Sequence, residues 1–240
     1  GEKPGFATAP KQPEGAKWAD PVKVIDDLTF RFDGAGYLED GADQVFVLPA
    51  EGGTPRQVTT GEADMGGQAW LDNDTLLVTG NLADDRDMDP IESEIYSVEL
   101  SNLQITPLTS RDGPDFAATP APDGRSIAFL GYDDELKSYQ QNHLYVMGPD
   151  GSGVRELLSG FPGSPGQIEW APDGKSLFML FEDHGVLTLN ELDLQGRLTQ
   201  VVTGIGGTSI GRPYAGGSFS VAKSGRREQN AYTAGFTDRP

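Results

Sequence analysis

The sequence contains no cysteine. That absence excludes disulfides, thiolate zinc sites and a thiol nucleophile, while leaving the compartment open. Cations are scarce as well: 18 Lys and Arg stand against 37 Asp and Glu, a formal net charge of −19 over 240 residues. So acidic a chain repels nucleic acid and anionic lipid, and neither is expected as a partner. No apolar run approaches the roughly 18 residues that span a bilayer, and the first residues lack the charged and apolar regions of a signal peptide. The chain is expected to be soluble. Room for long helices is missing too, because 32 Gly and 17 Pro are spread along the chain.

What is present is repetition. "APDGRSIAFLG" begins at Ala121 and "APDGKSLFML" at Ala171, fifty residues later. In each, Pro presets φ, Asp caps its own backbone and Gly takes a left-handed position, so a turn feeds an apolar strand. Stepping in both directions gives the register Asn73, Gly124, Gly174 and Gly225, spaced 51, 50 and 51. Asn73 is read as the left-handed substitute for Gly. A fifth, shorter unit starts at Asp33-Gly34. Each of the first four units has a second half with apolar residues two apart, such as Val45 with Val47, Tyr96 with Val98 and Leu144 with Val146. That is a strand period. Gly52-Gly53, Asp150-Gly151 and Gln195-Gly196 read as hairpin turns. Units of about 50 residues with several strands and no helix have the length and content of propeller blades. The expected fold is all-β: a β-propeller fragment of about four to five blades, each a four-stranded antiparallel sheet.

"FRFDGAGYLEDG", "VFVLPAEGGTPRQVTTG", "SRDGPDFAATPAPDGRSIAFLGYDD", "LYVMGPDGSG" and above all "GGTSIGRPYAGGSFSV" resemble the propeller of the prolyl oligopeptidase family of serine peptidases, in its acylaminoacyl-peptidase and dipeptidyl-peptidase-like branch. The resemblance covers nearly the whole chain from Trp18 onward. It implies a non-catalytic propeller that gates short peptides to a C-terminal α/β-hydrolase domain. About four and a half blades are present, so the chain is expected to be an internal piece of such a propeller, in a secreted or periplasmic peptidase. The alternative is a free-standing periplasmic propeller, of the Tol-system type, that binds a protein or glycan.

Gly207–Gly211, "GTSIG", fits the G-x-S-x-G nucleophile elbow with Ser209 as nucleophile. The elbow needs a helix after the serine, and "RPYAGG" cannot form one. A base must also follow in the chain, yet His143 and His184 both precede Ser209. No catalytic residue is therefore assigned, and the chain alone is expected to be inactive. In the run "NLADDRDMDPIESE", Asp85, Asp87 and Asp89 suggest a calcium loop, but an EF-hand count from Asp85 puts Pro90 at the sixth position and Tyr96 at the twelfth. It is read as a solvated loop. His143 opens a strand and His184 sits in a turn, so neither is assigned a metal, and no cofactor is expected. Asn73-Asp74-Thr75 is a formal glycosylation sequon.

Arg212 and Tyr214 in "GRPYAGG" are the substrate-contact candidates: a cation between a glycine and a proline, with an aromatic fixed by that proline. The plainer reading is that Arg212 pairs with a carboxylate across a blade junction, since ion pairs commonly hold loops. Residues 1–21, rich in proline, read as an extended connection, and residues 22–240 as one partial propeller domain. An incomplete ring leaves two apolar blade faces, which implies self-association or a covering neighbour.

Overall fold

A computed structural model describes residues 11–19, 24–25, 27–39, 41–206, 216–224 and 227–234. Among them there is no helix, and about 41% of the chain is strand. Three four-stranded antiparallel meanders form the body. The first runs β5 (Met65–Trp70), β6 (Thr75–Gly80), β7 (Glu94–Glu99) and β8 (Gln104–Pro107). The next consists of β9 (Asp115–Pro120), β10 (Ile127–Gly131), β11 (His143–Met147) and β12 (Arg155–Glu156). The last consists of β13 (Ile168–Trp170), β14 (Ser176–Asp183), β15 (Val186–Asp193) and β16 (Leu198–Ile205). Three hairpins flank them: β1 (Arg31–Phe32) with β2 (Gly36–Tyr37), β3 (Phe46–Val47) with β4 (Arg56–Gln57), and β17 (Phe219–Ser224) with β18 (Arg227–Tyr232). This is a β-propeller fragment, whose first and last units hold two-stranded sheets among the described residues.

The two Pro-Asp-Gly turns are superposable bond for bond. Asp123 Oδ1 accepts the Arg125 amide at 3.0 Å, and Asp173 Oδ1 accepts that of Lys175 at 3.0 Å. The Gly124 and Gly174 amides reach the carbonyls of Ala121 and Ala171 at 2.9 and 2.8 Å. Both glycines are left-handed, with φ of 67° and 70°. The Asn73 turn corrects the reading made from sequence, because Asn73 is not among the left-handed residues. There Asp72 Oδ1 accepts the Asp74 amide at 2.8 Å and the Leu71 amide closes on the Thr75 carbonyl at 3.0 Å. With the cap one residue earlier, the turn needs no positive φ. The outer hairpins hold as expected at Gly52, Gly151 and Gly196, whose amides bond to Pro49, Gly148 and Asp193. At the corresponding β7–β8 turn, Leu103 is held at φ 60°. A side chain there costs about 1–2 kcal/mol. Leu103→Gly, after glycine's entropic loss of about 0.5–1 kcal/mol, is expected to raise stability by about 0.5–1 kcal/mol in urea titration.

Why the central strands are apolar at every position follows from their neighbours. In β10, Ile127 and Phe129 pack with Leu77 and Ile95 of the preceding sheet, while Ala128 and Leu130 pack with Leu177 and Met179 of the following one. A strand buried on both faces loses the alternation that a half-buried strand shows. In β14, Leu177 and Met179 face backward, and Phe178 and Leu180 meet Ile205 and Phe219. The core is thus a series of apolar layers between consecutive sheets. Trp170 ties one junction by donating its indole N–H to the Thr119 carbonyl at 2.8 Å.

The first unit differs from expectation, since β1–β2 and β3–β4 are separate two-stranded sheets. Their strands are two residues long and Phe30, Phe32, Tyr37, Phe46 and Leu48 are exposed. With these side chains exposed, the two hairpins lack the double burial that builds the central sheets.

Candidate functional site

In each meander, the connection to the next sheet and the loop between the second and third strands emerge at the same end. At that end of the β5–β8 and β9–β12 sheets, three connections build a charged junction. Arg111 and Asp115 come from the β8–β9 connection and the start of β9, Glu92 and Glu94 from the loop entering β7, and Asp133 from the loop leaving β10. Arg111 forms an ion pair with buried Asp115, lies 3.7 Å from Asp133 Oδ1, and its guanidinium sits 4.2 Å above the Tyr145 ring. Tyr145 stacks on Phe129 with centroids 5.3 Å apart. Thr109 donates its hydroxyl to Glu94 and accepts the Ile95 amide at 2.9 Å. The Gly113 amide donates to Glu92 at 2.7 Å, and the Asp115 amide to the Ser93 carbonyl at 2.7 Å.

Local sequence explains the geometry. Gly113, at φ 127°, lets the connection pass so close to the next loop that a Cβ would lie 2.2 Å from the Tyr132 carbonyl oxygen. Gly131 leaves space for Asp115 and Arg111, since a Cβ there would meet both at bonding distance. Burial pushes the Glu94 carboxyl up to about 7, with the Asp115 and Glu92 charges adding to it against the Thr109 hydrogen bond. Burial likewise raises Asp115 to about 6, although Arg111 pulls it down. Glu92 is raised by burial and by Asp89, Asp112 and Asp134. One guanidinium therefore serves an excess of carboxylates. The site can take up a proton close to neutrality.

The same slot recurs with different contents. Gly80 abuts Met65 one blade earlier, and one blade later Phe181 meets Phe161 edge-on at 4.8 Å. Beside the first slot, a shallow cleft of about 310 Å³ runs along β5 and β9, lined by Asp43, Asp64, Met65, Gly67, Thr79 and Phe116. It sits where both strands bulge, with Gly67 and Ala117 at positive φ. Thr79 Oγ1, close to Gly67, is buried without a hydrogen-bond partner.

Among the residues singled out from sequence, Ser209, Arg212 and Tyr214 lie outside the described residues, as does Gly225. His143 pairs through Nδ1 with Glu156 at 2.8 Å, and His184 with Asp183 at 2.6 Å at a hairpin tip. They are not brought together. The Asp85–Asp89 loop is closed by its own backbone, with Met88 N–H donating to the Asp85 carbonyl at 2.7 Å, and Arg86 lies 3.6 Å from Glu62. No group of three His, Asp or Glu that could hold a metal ion occurs among the described residues. Sequence reading missed Arg111, Glu94 and Asp115. Their one local signal was a cation beside Gly113-Pro114 in a chain poor in cations.

Residues 22–135 match the family described as the dipeptidyl peptidase IV (DPP IV) N-terminal region. Among solved structures, the fold is similar to a TolB described as putative from Agrobacterium tumefaciens at TM-score 0.54 and 20% identity, over 67% of this chain and 56% of that one. TolB from Acinetobacter baumannii is similar at 0.54 and 18%, over 80% and 46%. A puromycin hydrolase is similar at 0.52 and 21%, over 66% of this chain and 27% of that one. The chain thus spans about half the length of the TolB chains and about a quarter of the hydrolase. At these identities the structural likeness establishes the propeller fold.

Proposed function

We propose, for a chain whose residues 22–135 are a propeller segment of the dipeptidyl peptidase IV N-terminal kind, that it serves as the non-catalytic, substrate-gating propeller of a secreted or periplasmic serine exopeptidase. The family match carries this reading. In it, the end of the sheets bearing the loops around Arg111 faces a C-terminal α/β-hydrolase domain. Two large apolar side chains support that assignment of faces. Leu136 and Tyr139 stand almost wholly in solvent on the β10–β11 loop. The loop is ordered by Gln140, which accepts from the Glu135 amide at 2.6 Å and donates to Asp134 at 2.7 Å. An ordered loop that holds apolar groups in water suits a docked partner.

The gene beyond the codon for Pro240 tests the reading. A hydrolase domain with its own Ser, Asp and His in that order is expected. The purified chain alone should resist a serine-directed phosphonate probe; labelling lost in Ser209→Ala would overturn that. Arg212 and Tyr214 are proposed to touch the bound peptide. In the full-length peptidase, Arg212→Ala should then lower kcat/KM for peptides by about 1–3 kcal/mol and leave small activated esters nearly unchanged. The rival role has a precedent within the chain, where Arg111 pairs with carboxylates across a junction. An unchanged peptide-to-ester ratio would assign Arg212 the same duty.

The second reading is a free-standing propeller that binds a protein or glycan, and TolB chains are among the similar folds. A stop codon shortly after Pro240 would select it. In either case the bare aromatic residues of the first blade should be covered by a neighbour or a second copy, which light scattering of the chain would detect as self-association.

A further inference from the structure

We propose that the junction between the β5–β8 and β9–β12 sheets is a proton-operated latch: a proton held by the Glu94 and Asp115 carboxyls keeps the two blades docked at their loop end, and its loss loosens them. The inference is independent of the peptidase reading and rests on the composition of the junction.

Glu94 opens β7 opposite Gly80, and Asp115 opens β9 opposite Gly131, so both side chains are fixed by strand register at the seam. Between them stand Arg111 and the Thr109 hydroxyl. The surrounding groups are Glu92 and Asp89 from the β6–β7 loop, Tyr96 from β7, Asp112 from the β8–β9 connection, Asp133 and Asp134 from the β10–β11 loop, and Tyr145 from β11 with His143 and Glu156 beside it. Arg111 is the cation that pairs with Asp115 and lies beside Asp133 at this seam. With a proton on Glu94 and Asp115 ion-paired to Arg111, the inner group of the three is neutral. Without that proton, a net negative charge is buried beside Glu92. The elements that would separate are those that the site joins: the Gly113 amide on Glu92, the Asp115 amide on Ser93, and the Asp134 amide on the Asp112 carbonyl at 3.0 Å. Both raised carboxyls fit a transition between mildly acidic and neutral medium. The neighbouring junction, where Phe161 packs edge-on against Phe181 in the place of Arg111 and Gly131, supplies an internal comparison.

Hydrogen exchange of the whole chain, followed by mass spectrometry or NMR at pH 5.5 and pH 8 and corrected for intrinsic rates, tests the latch. Protection of the Ile95, Gly113, Asp115 and Asp134 amides is expected to fall about tenfold or more at pH 8, relative to the Gly166 and Leu180 amides of the next sheet. Glu94→Gln, which keeps the shape and removes the charge, should hold the protected state at both pH values. Equal relative protection of the wild-type amides at the two pH values would overturn the proposal. So would a Glu94→Gln chain that keeps the wild-type pH dependence. Should that variant fold poorly, carbon-13 titration of the wild-type Glu94 and Asp115 carboxyls decides. Coupled transitions that coincide with the loss of protection support the latch, and titration without it defeats the latch.

Discussion

Replacing Gly113 by alanine is expected to destabilise the fold by about 3 kcal/mol or more, among the largest effects of any single methyl group in the chain. Two costs add. Its φ of 127° is a conformation that side chains avoid, and the new Cβ would press on the Tyr132 carbonyl oxygen and the Asp134 amide nitrogen, at 2.2 and 2.7 Å. Those are backbone atoms of the facing loop and cannot rotate away, so the overpacking penalty of about 1–3 kcal/mol comes on top of the left-handed penalty of about 1–2 kcal/mol. Gly124 is the matched comparison: it too is left-handed, but a Cβ there meets open space. Gly124→Ala should cost about 1–2 kcal/mol, from the backbone alone. Urea midpoints of the two variants measure the difference. Equal losses would mean that the two loops are not in contact at Gly113.

Arg111→Met is the second large effect, and its size should depend on pH. At pH 7.5 the substitution leaves the buried Asp115 carboxylate and its neighbour Glu94 without their cation, a loss of about 3–5 kcal/mol. At pH 5 both carboxyls are largely protonated, and what remains is the contact with the Tyr145 ring, worth about 1 kcal/mol. The wild type behaves in a related way. A carboxyl whose value is raised on folding adds stability that is fully present below its ordinary value and disappears as pH rises through the folded value. For Glu94 that window runs from about 4.5 to about 7, and for Asp115 from about 3.8 to about 6. Denaturation at pH 5 and 7.5 for both chains gives four numbers. A loss for Arg111→Met that is the same at both values would show that the carboxylates are not what the guanidinium serves.

Local chemistry made the blades legible and left their seams hidden. The Pro-Asp-Gly turns could be read because each is closed by bonds within six residues, from Ala121 to Ser126 and from Ala171 to Ser176. Asn73 misled because an Asp stands immediately before it: Asp72 could cap the turn without a left-handed residue, and residue type alone does not choose between the two solutions. The junction could not be read. Glu94, Arg111 and Asp133 lie up to 39 positions apart, and only the pairing of β9 with β10 and the docking of one sheet on the next bring them together. Arg212 and Tyr214 fall outside the described residues, so their role rests on the resemblance and on the experiment given for them.

The recurring slot at the blade edge, filled by Met65 against Gly80, by Arg111 and Asp115 against Gly131, and by Phe161 against Phe181, bears on how the chain avoids assembling wrongly. Strand ladders and turns are almost the same from one unit to the next, so hydrogen bonding alone would allow a sheet to dock one place out of order, within a chain or between two chains. The slot contents do not allow it. A slip by one unit would push a guanidinium into a phenylalanine pair, or set Phe181 where only a glycine leaves room for Asp115. Each seam thus carries its own address, and a chain with two sheets exchanged, every turn intact, should fail to close.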